Sequence, residues 1–236
     1  MEFKFSIRNA VREGWNLFKK HVWFFVAVAA IGMVLNFLGT GDKTPAIVSV
    51  LLGVAAFVWS IIVMKLSLAA ADGKEEMFSF SKIQSMLPDW RQALGLVGVG
   101  LLVGLLFIGG LILLILPGIW IAFRLSLSNL AYLDKGEGIR KSVRASWDMT
   151  KGGIFWTTVL VSLTAGLLYI VGLVFFGVGI LVTYPIAMIL MAKFYRALTV
   201  HHGHTSSNVV VQPVEIVAPT PEVHEEPHHE SETPIQ

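Results

Sequence analysis

Residues 94–133 read LGLVGVGLLVGLLFIGGLILLILPGIWIAFRLSLSNLAYL, with Arg124 as the single charge. A helix needs about 20 mostly apolar residues to cross the hydrocarbon of a bilayer. This run is about twice that length, and Gly109-Gly110 divides it, so it predicts two spans joined by a turn. Working outward, Val22–Gly39 carries no charge and Ala46–Ala71 carries only Lys65. Two further apolar stretches follow. The expected fold is an all-α polytopic bundle of six spans at about 22–39, 46–71, 92–108, 111–133, 154–175 and 178–199, arranged as three hairpins. Turns are expected at Gly39-Thr40-Gly41 with Pro45, at Gly109-Gly110, and at Gly177 with Gly179.

Composition agrees with this reading. Of the 236 residues, 55% are hydrophobic and 14% charged, whereas soluble domains are about a quarter charged. The absence of cysteine excludes disulfides, thiolate zinc sites and a cysteine nucleophile. The opening MEFKFSIRNAVREGW has no short apolar core with a cleavage site, so the expectation is that the first span acts as its own insertion signal.

Basic residues orient such a bundle, because cytoplasmic loops are enriched in Lys and Arg. Lys4, Arg8, Arg12, Lys19 and Lys20 precede the first span. Lys74, Lys82 and Arg91 follow the second, Lys135, Arg140, Lys141, Arg144 and Lys151 follow the fourth, and Lys193 and Arg196 close the sixth. Lys43 alone falls on the other side. Both termini and both long loops are therefore expected in the cytoplasm. The expected domains are a cytoplasmic interfacial helix at 1–21, a transmembrane domain at 22–199 and an acidic tail at 200–236.

IRNAVREGWNLFK (7–19) aligns with IRKSVRASWDMTK (139–151), and Ile, Arg, Val, Arg, Trp and Lys are identical. Aromatic residues follow in both, Trp23-Phe24 and Phe155-Trp156. Both segments precede a span on the same side, which makes the repeat parallel. Ile83, Met86 and Trp90-Arg91 form a degenerate third copy. Apolar residues recur at helical spacing beside a basic stripe, a pattern suited to the headgroup layer. Arg8, Arg12, Trp15 and Lys19, and Arg140, Arg144, Trp147 and Lys151, are the expected contacts to anionic lipid. The plainer alternative is an elbow helix that orients the next span.

The second copy lies in LPGIWIAFRLSLSNLAYLDKGEGIRKSVRASWDMTKGGIFW. Its Pro117-Gly118, the span carrying an Arg, the glycine at 136 or 138 before a helix, and the run Ser146 to Gly152 resemble a family. It is the YciC-like and glycerophosphoryl diester phosphodiesterase membrane-domain group of prokaryotic membrane proteins. The motif region covers about 40 residues, and the six-span layout extends the likeness to about 200. The resemblance implies a multi-span inner-membrane protein. Some relatives carry a soluble phosphodiesterase domain, for which the 36 residues from His201 onward leave no room, so that activity is not expected to transfer.

Arg124 is the residue singled out for chemistry. In a span over 111–133 it lies ten residues, roughly 15 Å of helix, from Asp134. An Arg at the bilayer centre costs at least ~2.5–3.5 kcal/mol, and no Asp or Glu lies within any expected span. Its partners are expected to be hydroxyls, amides, carbonyls, water or a bound anion, with Ser128 at i+4 on its face and Asn36, Thr157, Thr158, Thr183 or Tyr184 approaching from other helices. Were the span to start near Pro117 instead, Arg124 would snorkel to the outer interface. Lys65 is expected to snorkel to the cytoplasmic surface. Gly100 and Gly104 form a small-xxx-small pair expected to pack helices. Prolines 117 and 185 each follow a glycine by eight residues and are expected two turns into their helices.

The tail holds six Glu, no Lys or Arg, and six of the seven histidines. It reads as a solvated, disordered, low-complexity segment; its His and Glu residues lack a fixed geometry for metal. No span has the paired Asp, His-Glu or Ser-Lys sets that hydrolysis in lipid requires. The sequence therefore points to no catalytic residue, metal, cofactor or nucleic-acid partner. It leaves two functions: a non-catalytic inner-membrane scaffold or accessory protein that packs against other membrane proteins, or a transporter or lipid-handling protein with Arg124 facing an anion or headgroup cavity.

Overall fold

The computed structural model describes residues 3, 5–39, 45–174 and 179–203. All regular structure among them is helical. The expected turns around Thr40-Gly41 and Gly177, and the tail beyond Gly203, lie outside the described residues.

Helix α1 (Ile7–Lys20) starts at Ser6, whose Oγ accepts from the Asn9 amide at 3.4 Å. It ends in Lys19 and Lys20, cations at the negative end of the helix dipole. The chain then turns at His21 through 96° into α2 (Val22–Gly39). Helix α3 (Ala46–Ala71) follows, then the single turn α4 (Phe80–Ile83), α5 (Trp90–Leu113), α6 (Ile115–Leu125), α7 (Ser128–Lys135), α8 (Ile139–Met149), α9 (Ile154–Val174) and α10 (Ile180–His201). Four of these, α3, α5, α9 and α10, are long and apolar enough to cross a bilayer, and a fifth span is reached by counting the bent α1–α2 pair. In that pair α2 carries the uncharged apolar run, while α1 holds the Arg and Lys residues.

Residues 92–133 depart from the expected pair of spans. Helix α5 runs through Gly109-Gly110 to Leu113, and the chain turns at Leu114, whose backbone is extended. Pro117 sits in the first turn of α6, where its missing N–H costs no helical bond. It is not two turns in. Pro185 is inside α10. The expected continuous span at 111–133 is two helices. Ser126 N reaches only to the Phe123 carbonyl, at 3.4 Å, and Ser126 Oγ bonds the same oxygen at 2.9 Å. A serine competing for backbone acceptors ends α6 there. At 11 residues α6 is about 16 Å long, half the hydrocarbon thickness.

Helix α10 is the central post: 44% of its apolar stretch is buried, against 17% in each of α3, α5 and α9. Its C-terminal half supplies Leu190, Ala192, Phe194, Tyr195 and Leu198, all fully buried, to a core closed by Ala10 of α1, Leu68 of α3, Leu130 and Ala131 of α7 and Met149 of α8. The other ends of the helices are bare. Leu101, Leu105, Ile108 and Ile112 on α5, Ile47, Leu51 and Val54 on α3, and Leu167, Ile170 and Val174 on α9 are exposed. Thus one end of the molecule is tightly packed and charged, and the other presents apolar side chains outward.

Candidate functional site

Two polar centres stand out, and both lie toward the packed end. The first surrounds Arg124, in the last turn of α6. Its guanidinium carbon lies 4.7 Å from the ring centroid of Trp120, 5.0 Å from Trp147 and 5.8 Å from Phe155, which come from α6, α8 and α9. Trp120 meets Trp147 edge-on at 5.1 Å. Nη1 donates to the Trp147 carbonyl at 3.0 Å, and the residue is 9% exposed. Stacked rings offer a desolvated cation partial compensation through their quadrupoles, about 0.5–2 kcal/mol each. The carbonyls at the end of α6 have no intrahelical partners. That of Arg124 accepts from Ser146 Oγ at 2.8 Å and Thr150 Oγ1 at 3.3 Å, both from the α8 side. Side chain and main chain of one residue thus dock α6 onto α8.

The hydroxyl and amide neighbours expected for Arg124 do not bond it. Ser128 Oγ is buried with no hydrogen-bond partner, because the break at Ser126–Leu127 removes the i+4 register. Arg124 Nε is likewise buried and unbonded. What sequence reasoning missed was aromatic: Trp120 precedes Arg124 by four residues, one helical turn on the same face.

The second centre was not anticipated. Arg196 of α10 places Nε 2.6 Å from Asp72 Oδ1 and donates from Nη2 to Asp72 Oδ2 at 2.9 Å. Its Nη1 donates to Asp134 Oδ1 at 2.6 Å, and Tyr195 Oη donates to Asp134 Oδ2 at 2.8 Å. All three charged side chains are at most 12% exposed. Asp72 caps α3 and Asp134 lies in the last turn of α7, so one guanidinium ties together the ends of three helices. The Phe3 ring also meets that of His201 at 5.2 Å, bringing the start of the chain to the same end. Lys20 and Glu75 form an ion pair there as well. The Lys20 hydrogen bond holds the Glu75 carboxyl below the usual carboxylate range.

The basic positions are all exposed: Arg8, Arg12 and Lys19 on α1, and Arg140, Arg144 and Lys151 at α8. Trp15 is 43% exposed under Lys19, while Trp147 is partly covered by Arg124. Gly100 and Gly104 line an apolar groove of about 460 Å³ between α3 and α5, with Phe57, Met64 and Asn129. Beyond its own chain neighbours and helix backbone, a Cβ built on either glycine meets no atom within 4 Å. Close helix approach uses other glycines. Cβ atoms built on Gly110 and Gly118 would fall 2.8 Å from backbone atoms of the facing helix.

The chain matches no protein-family model, no curated protein and no solved structure. Function is therefore argued from the residues alone.

Proposed function

We propose that this chain is a non-catalytic, six-span protein of the inner membrane, with both termini in the cytoplasm, that serves as a scaffold or accessory to other membrane proteins. The observation that carries the reading is the enclosure of Arg124. Three rings and a backbone carbonyl occupy the guanidinium, which favours a docking role over a substrate pathway. The alternative, transport or lipid handling through an anion cavity at Arg124, has the unbonded Nε in its favour.

Six spans follow from taking α6 and α7 together as one interrupted crossing beside α5. The Arg196 contacts to Asp72 and Asp134 support this path, because the chain must return to one end after α3, after α7 and after α10. With 15 basic residues in the segments gathered there, the positive-inside rule makes that end cytoplasmic. The basic helices α1 and α8 then lie at the membrane surface as amphipathic elements of an internal repeat. Membership of the YciC-like group remains part of the same proposal, on the residues quoted above.

Single cysteines at Ser126, Ser128 and Asn129, introduced into a chain that has none, test the choice. A membrane-impermeant thiol reagent applied to intact cells is expected to leave all three unlabelled while it labels a control at Thr40. Labelling at Ser128 would show water reaching the interior beside Arg124 and would favour the pathway reading.

A further inference from the structure

The two copies of the repeated segment bury the same register: Ala10, Gly14 and Phe18 in one, Ser142, Ser146 and Thr150 in the other, 132 residues apart. None of these three pairs is identical, and the third is not even similar in size. Three of the six identical positions, two Arg and one Lys, are exposed in both copies. Val143 is the one identical position that is buried, so packing does not account for the shared Arg and Lys. The copies instead share what they present outward.

What that face meets follows from geometry. Helix α2 becomes apolar at once from Val22, and α1 stands at 96° to it. A helix nearly perpendicular to a span and joined to it by one residue lies along the membrane plane, at headgroup depth. Trp23, in the first turn of α2, is 85% exposed, and Trp156, in the first turn of α9, is 69% exposed. Tryptophan at that level is the signature of the interface. Among the described residues neither Arg8, Arg12 nor Arg140 has an ion-pair partner within 4 Å. Glu13, the acid of α1, is held by Lys193.

We propose that these faces are paired binding sites for anionic phospholipid headgroups, a stronger one on α1 (Arg8, Arg12, Trp15, Lys19) and a weaker one on α8 (Arg140, Arg144, Lys151). The asymmetry comes from one position. Asp148 sits 3.8 Å from Arg144 Nε and 2.5 Å from Lys151 Nζ, whereas its counterpart in the first copy is Asn16. Trp147 is also turned inward onto Arg124. The second face is thus partly self-neutralised and the first is not. This inference rests on the reading of the chain as a membrane protein.

The test is native mass spectrometry of the full chain released from phosphatidylcholine nanodiscs doped with phosphatidylglycerol. The wild type is expected to retain phosphatidylglycerol preferentially. At about 1 kcal/mol per basic residue near the surface, the double variant R8Q/R12Q should bind it ~30-fold more weakly, and R140Q/R144Q only ~5-fold, at 1.4 kcal/mol per decade. Asp148→Asn should strengthen the second site, a gain that a misfolded variant cannot mimic. A chain that does not insert into nanodiscs overturns the membrane reading. One that inserts but shows no lipid preference, or an equal loss in both double variants, overturns the paired sites. A preference that emerges only when residues 204–236 are deleted would assign the arginines to the acidic tail and likewise contradict the proposal.

Discussion

Replacing Arg196 with methionine is expected to destabilise the protein by about 3–5 kcal/mol, the cost of breaking one side of a buried ion pair. The substitution leaves Asp72 and Asp134 at most 7% exposed and facing each other without their shared cation. Lys74, 3.9 Å from Asp72 and largely exposed, is too far out to replace it. The damage should be one of charge and not of shape, because methionine fills most of the same volume. Adding Asp72→Asn and Asp134→Asn to R196M should therefore restore a large part of the loss. Thermal unfolding of the purified protein in detergent reads both effects. An R196M variant that melts with the wild type would show that the three helix ends are held by apolar packing alone.

The second large effect separates glycines that look alike in sequence. Gly118→Ala puts a methyl group 2.8 Å from the Leu111 backbone nitrogen, where the turn between α5 and α6 leaves no room. Backbone cannot rotate away as a side chain does, so overpacking of about 1–3 kcal/mol is expected. Gly100→Ala meets only the open groove. There the gain in helix propensity, up to about 1 kcal/mol, should leave the variant neutral or more stable. The two substitutions are chemically identical and are predicted to differ in sign. If G100A proved the more damaging, Gly100 and Gly104 would be the packing face after all, with a helix seated on them.

Hydropathy alone does not distinguish Gly118 from Gly100, and the same holds for other features of the fold. Helices α2, α3, α9 and α10 fall within a residue or two of the expected apolar runs, since charge and glycine mark their ends. The interruption of the fourth run was not legible, because hydropathy does not register an extended Leu114 or a serine bonding back to Phe123. The charge of Arg124 marks it in the sequence, and a carbonyl, one of the partner types expected there, does accept from it, but the rings of Trp120, Trp147 and Phe155 that cover it are not among them. Of these only Trp120, one turn away, lay within reach of a local pattern. Arg196 was counted merely as one of many basic residues. Its partners are 124 and 62 residues distant, and no local pattern links positions so far apart.

On the six-span path the chain returns to one side of the membrane after each pair of helices, although α6 is too short to cross alone. Single cysteines at Lys74, Leu114 and Glu137 test it, labelled with an impermeant thiol reagent in right-side-out and inverted membrane vesicles. Lys74 and Glu137 are expected to label only in inverted vesicles and Leu114 only in right-side-out ones. Labelling of Glu137 from the outside would mean that α6 and α7 do not complete a crossing, and would contradict the six-span path.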